Sequence, residues 1–261
     1  MRELSLFTGA GGGVYGSKIL GWKTLGYVEW EDYPQKVIRQ RINDGIFDEA
    51  PVFGDIRTFV NEGYARRYRG LVDVVTGGFP CQPFSVAGKR EASNDERDMW
   101  PATMDVIKAV EPPVVYLENV PGLLSATVDN STDGHVHYFG TILRDLAESG
   151  YSVKWCVLGA DDVGAIHSRK RLWVLAIQDT DSFKKLRQAH WEKEIQGERE
   201  LQRCQNVGGL EEWRSRSDIP SPQLCRVGDV LADWGDRING VGNGQVSLSV
   251  AAAYALLAGE Y

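Results

Sequence analysis

The sequence holds few of the residues from which metal sites and disulfide frameworks are built. Its 261 residues include four cysteines, Cys81, Cys156, Cys204 and Cys225, and no two of them form a C-x-x-C pair. This spacing argues against a zinc site and more strongly against a disulfide framework. We therefore predict no metal centre and interpret each cysteine as a single thiol.

Long apolar runs and an excess of positive charge are also missing. No run of 18 apolar residues occurs, and the N-terminal MRELSLF enters a strand pattern without the layout of a signal peptide. These features predict a cytoplasmic protein. The formal net charge of −7 argues against a nonspecific polyanion binder. It leaves room for a nucleic-acid enzyme with a local basic cleft.

Short apolar runs alternate with amphipathic stretches along the first 177 residues. We predict strands at 3–7, 23–29, 72–75, 114–118, 152–158 and 171–177, and helices at 33–41, 99–110 and 138–148. Several strands are almost wholly apolar, which indicates burial on both faces and hence a mostly parallel sheet covered by helices. The fold class predicted is a doubly wound α/β domain of Rossmann-like type.

The composition changes near residue 178. Residues 178–236 are polar and charged, and we interpret them as a small recognition lobe or a partly disordered insert. The Ala- and Leu-rich stretch 245–259 predicts a packed terminal helix. Residues 1–177 and 237–261 are therefore predicted to form one domain.

A glycine-rich turn follows the first predicted strand. The segment LFTGAGGG places Gly9, Gly11 and Gly12 between that strand and a helix, and Glu29 ends the next strand. Glycines there let the backbone approach a ligand, and an acidic residue at Glu29 can hold ribose hydroxyls. The pattern predicts an adenosine-containing cofactor, for which NAD and S-adenosylmethionine fit equally. The alternative is a turn that merely lets a helix pack.

Cys81 lies in TGGFPCQPFS, just after a predicted central strand. Open α/β sheets bind ligands at the carboxyl ends of their strands, and Pro80 and Pro83 stiffen the backbone around this thiol. A helix N-terminus or a nearby arginine would lower its pKa towards a usable thiolate. We interpret Cys81 as a candidate nucleophile, with a small buried core cysteine as the alternative.

Polar residues end two further strands. Glu118 follows the apolar run VVYL, and its burial would raise its pKa so that it can carry a proton near neutrality. Arg169 and Arg171 are spaced to share one face, which suits an anion or a base carbonyl. Asp55 in FGDIR can accept a hydrogen bond from an adenine amino group. The alternative for Glu118 is a helix-capping carboxylate, and the alternative for Asp55 is an aspartate in a turn. The alternative for the two arginines is solvated charge before an edge strand.

Together these residues carry a family resemblance. The motifs LFTGAGGG, Glu29–Trp30, GDI, GGFPCQPFS, ENV, HSRKR and GNGQV occur in this order. In this the chain resembles the DNA (cytosine-5)-methyltransferases, with residues 178–236 outside the likeness. One departure is Ser247, which follows GNGQV where the family often has proline.

The resemblance implies a role for each matching residue. Cys81 is expected to attack C6 of a cytosine flipped out of the helix, and Glu118 to hydrogen-bond or protonate N3. Arg171 is expected to contact O2, with Arg169 supporting the site. C5 then receives a methyl group from S-adenosylmethionine. Residues 84–97 are implied to be a mobile loop that closes on DNA.

The resemblance also implies the binding partners. The cofactor-binding residues expected for S-adenosylmethionine are Phe7, Gly9, Gly11, Gly12, Glu29, Trp30, Asp55, Ile56, Pro80, Asn243 and Gly244. Double-stranded DNA is the expected substrate of a monomer that belongs to restriction-modification in a bacterial or phage-infected cell. An RNA cytosine-5 methyltransferase of the same fold is an alternative, and a catalytically silent DNA-binding module is another.

Overall fold

A computed structural model describes residues 1–80, 98–130, 134–165, 167–178 and 244–259. Its strands are β1 (Arg2–Leu6), β2 (Lys23–Val28), β3 (Val52–Phe53), β4 (Val74–Gly77), β5 (Val114–Asn119), β6 (Thr127–Asn130), β7 (Gly134–His137), β8 (Tyr151–Leu158) and β9 (Arg171–Gln178). Its helices are α1 (Gly12–Ile19), α2 (Asp32–Asn43), α3 (Ile56–Asn61), α4 (Trp100–Val110), α5 (Tyr138–Glu148) and α6 (Ser247–Ala258).

Seven of the strands form one sheet in the order β3-β2-β1-β4-β5-β9-β8. The first five are parallel to one another, and β9 runs antiparallel between β5 and β8. The strand order reverses between β1 and β4, which in open α/β sheets marks the position of the ligand crevice. The predicted doubly wound, mostly parallel fold is confirmed.

The predicted elements agree with the observed ones to within two or three residues. The hairpin of β6 and β7 was not predicted, because a four-residue strand leaves too short a pattern to recognise. The predicted recognition region lies, from residue 179 to 236, outside the described residues.

Helix α6 covers the sheet beside α1. Its core-facing residues are small or apolar, and a Cβ on Gly16 would lie 2.4 Å from Cβ of Val250, so the two helices meet closely there. The hydroxyl of Tyr116 on β5 donates to the Val250 carbonyl at 2.7 Å. Among the helices in the described ranges, none is long and apolar enough to cross a bilayer.

One buried carboxyl group joins four elements at the centre of the sheet. Glu3 on β1 is fully buried. It accepts hydrogen bonds from the hydroxyls of Thr76 at 2.6 Å, Ser17 at 2.7 Å and Thr24 at 2.8 Å. Burial raises the pKa of Glu3, and the three hydroxyl groups only partly oppose that effect. Sequence reasoning placed Glu3 in a strand without identifying its partners.

The raised pKa of Glu3 gives the fold a pH dependence. The folded state holds this proton more tightly than the unfolded chain, where glutamate titrates near ~4.3. Above that value stability therefore falls as pH rises, until the pKa of the folded state is passed. Glu3→Gln has no such proton to lose.

We expect the Tm of Glu3→Gln, relative to the Tm of the wild type, to increase as the pH rises from 5 to 8. Thermal unfolding followed by circular dichroism across this range measures the difference. Glu62→Gln is the control, because Glu62 is exposed on the surface. A Tm difference that does not change with pH would contradict the assignment.

Candidate active site

Most predicted site residues in the described ranges lie along one edge of the sheet. The register pairs Val28 with Phe53, so the residues after β2 and β3 lie side by side. It likewise pairs Gly77 with Leu117, which sets the chain leaving β4 beside Glu118. Because β9 is antiparallel, its first residue, Arg171, lies at this same edge. The edge thus runs from Asp55 through Glu29, the glycine turn and Glu118 to Arg171.

The glycine turn after β1 has a backbone that few side chains tolerate. Gly9 has a φ of +55° and Gly11 a φ of +89°, both in the left-handed region. Phe7, which carries a side chain, is held at a φ of +49°. Non-glycine residues in this region cost free energy and cluster at functional sites. The strained turn therefore belongs to the candidate site.

Glu29 is fixed against this turn. One carboxylate oxygen accepts the Gly9 N–H at 2.6 Å, and the other accepts the Glu31 N–H at 2.8 Å. Burial raises the pKa of Glu29, while these backbone donors oppose the rise. The next residue, Trp30, leaves 66% of its surface exposed. A buried acid beside an open indole and a glycine turn fits the ribose and the flat base of an adenosyl group.

Asp55 and Ile56 begin α3. The Asp55 carboxylate accepts the Arg57 backbone N–H at 2.9 Å and forms an ion pair with the Arg57 guanidinium at 3.1 Å. It thereby caps the helix, whereas the alternative expected from the sequence was an aspartate in a turn. Ile56 is buried in the core. A cofactor role for either residue stays a prediction.

Glu118 and Arg171 form an ion pair at the other end of the edge. Arg171 Nε lies 2.7 Å from Glu118 Oε1, and the two side chains are 20% and 12% exposed, respectively. Burial raises the pKa of Glu118, and the positive charge of Arg171 is the largest opposing effect. The expected rise in the pKa of Glu118 is confirmed.

Arg169 lies near the same pair, just before β9. Its buried Nε has no hydrogen-bond partner among the residues that the structure describes. Burial lowers the pKa of Arg169, and the charge of Arg171 lowers it further. Because a buried donor without a partner is costly, this N–H suits an acceptor supplied from outside the described residues.

Asn119 anchors the chain as it leaves β4. Its Nδ2 donates to the Phe79 carbonyl at 3.1 Å, and its Oδ1 accepts the Val120 N–H at 2.8 Å. Phe79 also packs on Trp100, with ring centroids 5.4 Å apart. The backbone entering Pro80 is therefore held in place. Sequence reasoning noted the ENV motif but missed this contact.

Two predicted residues and one predicted loop are not among the described residues. Cys81, Asn243 and residues 84–97 lie outside the described residues. Gly244 is described and leads into α6. Next to it, Gln245 contacts both the glycine turn and Glu118, a role the sequence analysis did not assign. The signal was the GNGQV motif itself, in which a polar amide precedes an apolar helix.

The departure at Ser247 has a structural consequence. Its hydroxyl donates to the Gly12 carbonyl at 2.9 Å, which ties the start of α6 to the start of α1. A proline at this position has no hydroxyl and cannot form this bond. A Cβ on Gly12 would lie 2.3 Å from the backbone oxygen of Gln245, so the two segments meet without room for a side chain.

This arrangement is that of a Rossmann-like α/β domain, and comparison with solved structures agrees. The chain superposes on a DNMT2 mutant from Spodoptera frugiperda with a TM-score of 0.53 at 19% identity, covering 69% of this chain and 50% of the other. Such low identity supports the fold alone.

Sequence comparison defines the family. Residues 1–219 match the family described as C-5 cytosine-specific DNA methylase. The chain is 31% identical to the Type II methyltransferase M.NgoMIV of Neisseria gonorrhoeae, over 86% of this chain and 68% of the relative. It is 33% identical to M.Bsp6I of a Bacillus species, over 70% of this chain but 54% of that relative. The chain belongs to the C-5 cytosine-specific DNA methylase family.

The close contact at Gly12 yields a prediction. Gly12→Ala would force the Gln245 backbone away, and overpacking of this kind costs about 1–3 kcal/mol. We expect a lower free energy of unfolding, measured by urea denaturation. Gly140→Ala on α5 is the control, because a Cβ there meets no atom within 4 Å. Equal losses in the two variants would show that the contact is not tight.

Proposed function

We propose that this protein transfers a methyl group from S-adenosylmethionine to C5 of a cytosine in double-stranded DNA. The observation that carries the proposal is the buried Glu118–Arg171 pair, with 2.7 Å between Oε1 and Nε, beside the strand end that leads to Cys81. The family match and the names of the relatives, which are Type II methyltransferases, support the same reaction.

The chemistry that this pair can perform follows from cytosine itself. C5 of cytosine is a poor nucleophile until a nucleophile adds to C6. In the proposed reaction the Cys81 thiolate adds to C6 while Glu118 shares its proton with N3, which makes C6 more electrophilic. Loss of the C5 proton to a base, after methylation, lets the thiolate leave and restores the aromatic ring.

Glu118 suits this role through its environment. Burial raises its pKa, so that the protonated form persists to higher pH than it would for an exposed glutamate. The guanidinium of Arg171 sets the direction of the carboxylate and presents further N–H groups towards the base O2. The unpartnered Nε of Arg169 supports the idea that a further acceptor approaches this end of the site.

The other end of the edge would hold the methyl donor. Glu29 would bind the ribose hydroxyls, Trp30 the adenine face, and the turn from Phe7 to Gly12 the remainder of the molecule. When bound, S-adenosylmethionine supplies an electrophilic methyl group. The proposed cofactor-binding site also includes Pro80, Asn243 and Gly244. Its adenine end would include Asp55 and Ile56.

The remaining parts of the proposal concern DNA. C6 is inaccessible in the base stack, so we propose that the target cytosine is flipped out of the duplex. Residues 178–236 would supply target recognition, and the protein would act as a monomer in the cytoplasm of a bacterial or phage-infected cell, within a restriction-modification system. The chain spans about half the length of M.Bsp6I, so activity of the chain by itself is part of what is proposed.

Methyl transfer by two cysteine variants tests the mechanism. We expect the wild type to transfer labelled methyl groups from S-adenosylmethionine to duplex DNA and not to tRNA. Cys81→Ala should lose activity by at least about a thousandfold, because C6 then has no nucleophile. Cys156→Ala is the matched control, because Cys156 is a free cysteine on the edge strand β8. Full activity of Cys81→Ala would refute the covalent mechanism.

Duplex DNA that contains 5-fluorocytosine gives a second readout. Fluorine at C5 cannot leave as a proton does, so the bond between Cys81 and C6 should persist and the complex should survive denaturing electrophoresis. The wild type and Cys156→Ala should form it, and Cys81→Ala should not. Transfer to tRNA in place of DNA would support the RNA alternative instead.

A further inference from the structure

Gln245 lies in a narrow passage lined by Gly12, Gly13 and Gly78, none of which has a side chain to fill it. A Cβ on Gly12 would lie 2.3 Å from the Gln245 carbonyl oxygen, and one on Gly13 would lie 2.4 Å from its Oε1. A Cβ on Gly78 would lie 2.9 Å from its Nε2. Any side chain at these positions would meet Gln245. The glycine turn and the end of β4 therefore both enclose this one residue.

The passage ends at the carboxylate of Glu118. Gln245 Nε2 lies 3.4 Å from Glu118 Oε2, whereas Arg171 Nε is 2.7 Å from Oε1. Each carboxylate oxygen thus has its own donor. The neutral amide of Gln245 is the more distant, and the charged guanidinium of Arg171 is the nearer. The longer, neutral contact is the weaker of the two. Oε2 is therefore the oxygen more easily released to a new partner.

We propose that Gln245 is a positioning residue for Glu118, which holds Oε2 in line for the base and fixes the carboxylate relative to the glycine turn. The inference rests on the proposed function and deepens it, because it explains how Glu118 and the proposed methyl-donor site keep a fixed position relative to each other. The backbone of Gln245 contacts Gly12 while its amide reaches Glu118, and Ser247 fixes this segment through the Gly12 carbonyl.

The inference fixes the direction of a measurable change. A hydrogen bond donated to the ionised carboxylate favours that form, so loss of the amide raises the pKa of Glu118. A residue that only fills space would change stability and leave this pKa where it is. Gln245→Met keeps the length and most of the volume of the side chain and removes the donor.

The first test measures the pKa of Glu118 directly. Carbon-13 NMR of the labelled side-chain carboxyl groups, with Glu118→Gln used to assign the resonance, follows its titration. In Gln245→Met we expect the pKa to rise by about half to one unit, as the loss of one weak hydrogen bond implies. Gln40→Met is the matched control, because the exposed Gln40 amide donates at 2.7 Å to the carboxylate of Asp44, which follows the last residue of α2. An unchanged pKa in Gln245→Met would overturn the inference, whatever the activity of the protein.

The second test measures methyl transfer to duplex DNA under single-turnover conditions across pH 5.5 to 9.5. We expect the limb of the profile that reports Glu118 to move to higher pH in Gln245→Met. We expect the maximal rate of the profile to fall about tenfold, because the carboxyl group of Glu118 is no longer held in line for the base, and the Kd for S-adenosylmethionine to change less than about threefold. The Gln40→Met profile should match that of the wild type.

The outcomes separate the two proposals. A wild type that methylates neither DNA nor tRNA would refute the proposed function, while the NMR titration would still decide the role of Gln245. A wild type that methylates DNA, with an unchanged profile for Gln245→Met, would refute the positioning role alone. A lower Tm with no shift in the profile or in the carboxyl titration would assign Gln245 to packing, against the proposal.

Discussion

The burial of the Glu118 carboxylate is the constraint around which the rest of the site is arranged. A carboxylate removed from water must find donors, since an uncompensated buried charge costs several kcal/mol. The donors come from Arg171 at the start of β9 and from Gln245 just before α6. They reach Glu118 only when the antiparallel strand is inserted beside β5 and α6 has closed over the glycine turn. The chemistry of the site therefore depends on the completed sheet.

Much of this fold could be predicted from the sequence because parallel strands buried on both faces leave continuous apolar runs. The strand ends at Glu29 and Glu118 were identifiable for the same reason, since a charged residue directly after such a run marks the sheet edge. Parallel pairing then brings them to one side of the domain. The distance along the edge between Glu29 and Glu118 follows from strand order, which required the structure.

What the sequence concealed lies in contacts between distant segments. Glu3 lies in a predicted strand, and only the packing of α1, β2 and β4 shows that its partners are Ser17, Thr24 and Thr76. The GNGQV motif marks Gln245 in the sequence, but no periodicity links it to Glu118, 127 positions earlier. Hydrogen bonds of this kind depend on register and crossing geometry, which local sequence patterns do not encode.

The glycines illustrate how one residue type serves two different requirements at the same site. Gly9 and Gly11 adopt backbone angles that favour glycine, which shapes the turn itself. Gly12 and Gly13 are needed because Gln245 occupies the space of their missing side chains, and Gly78 because Glu118 Oε2 and Gln245 Nε2 would lie 2.7 Å and 2.9 Å from a Cβ at that position. The glycines therefore combine backbone freedom for the turn with clearance for Gln245 beside Glu118. The second requirement arises only because α6 begins where it does, and so the glycine turn and Glu118 are joined through Gln245 and Ser247.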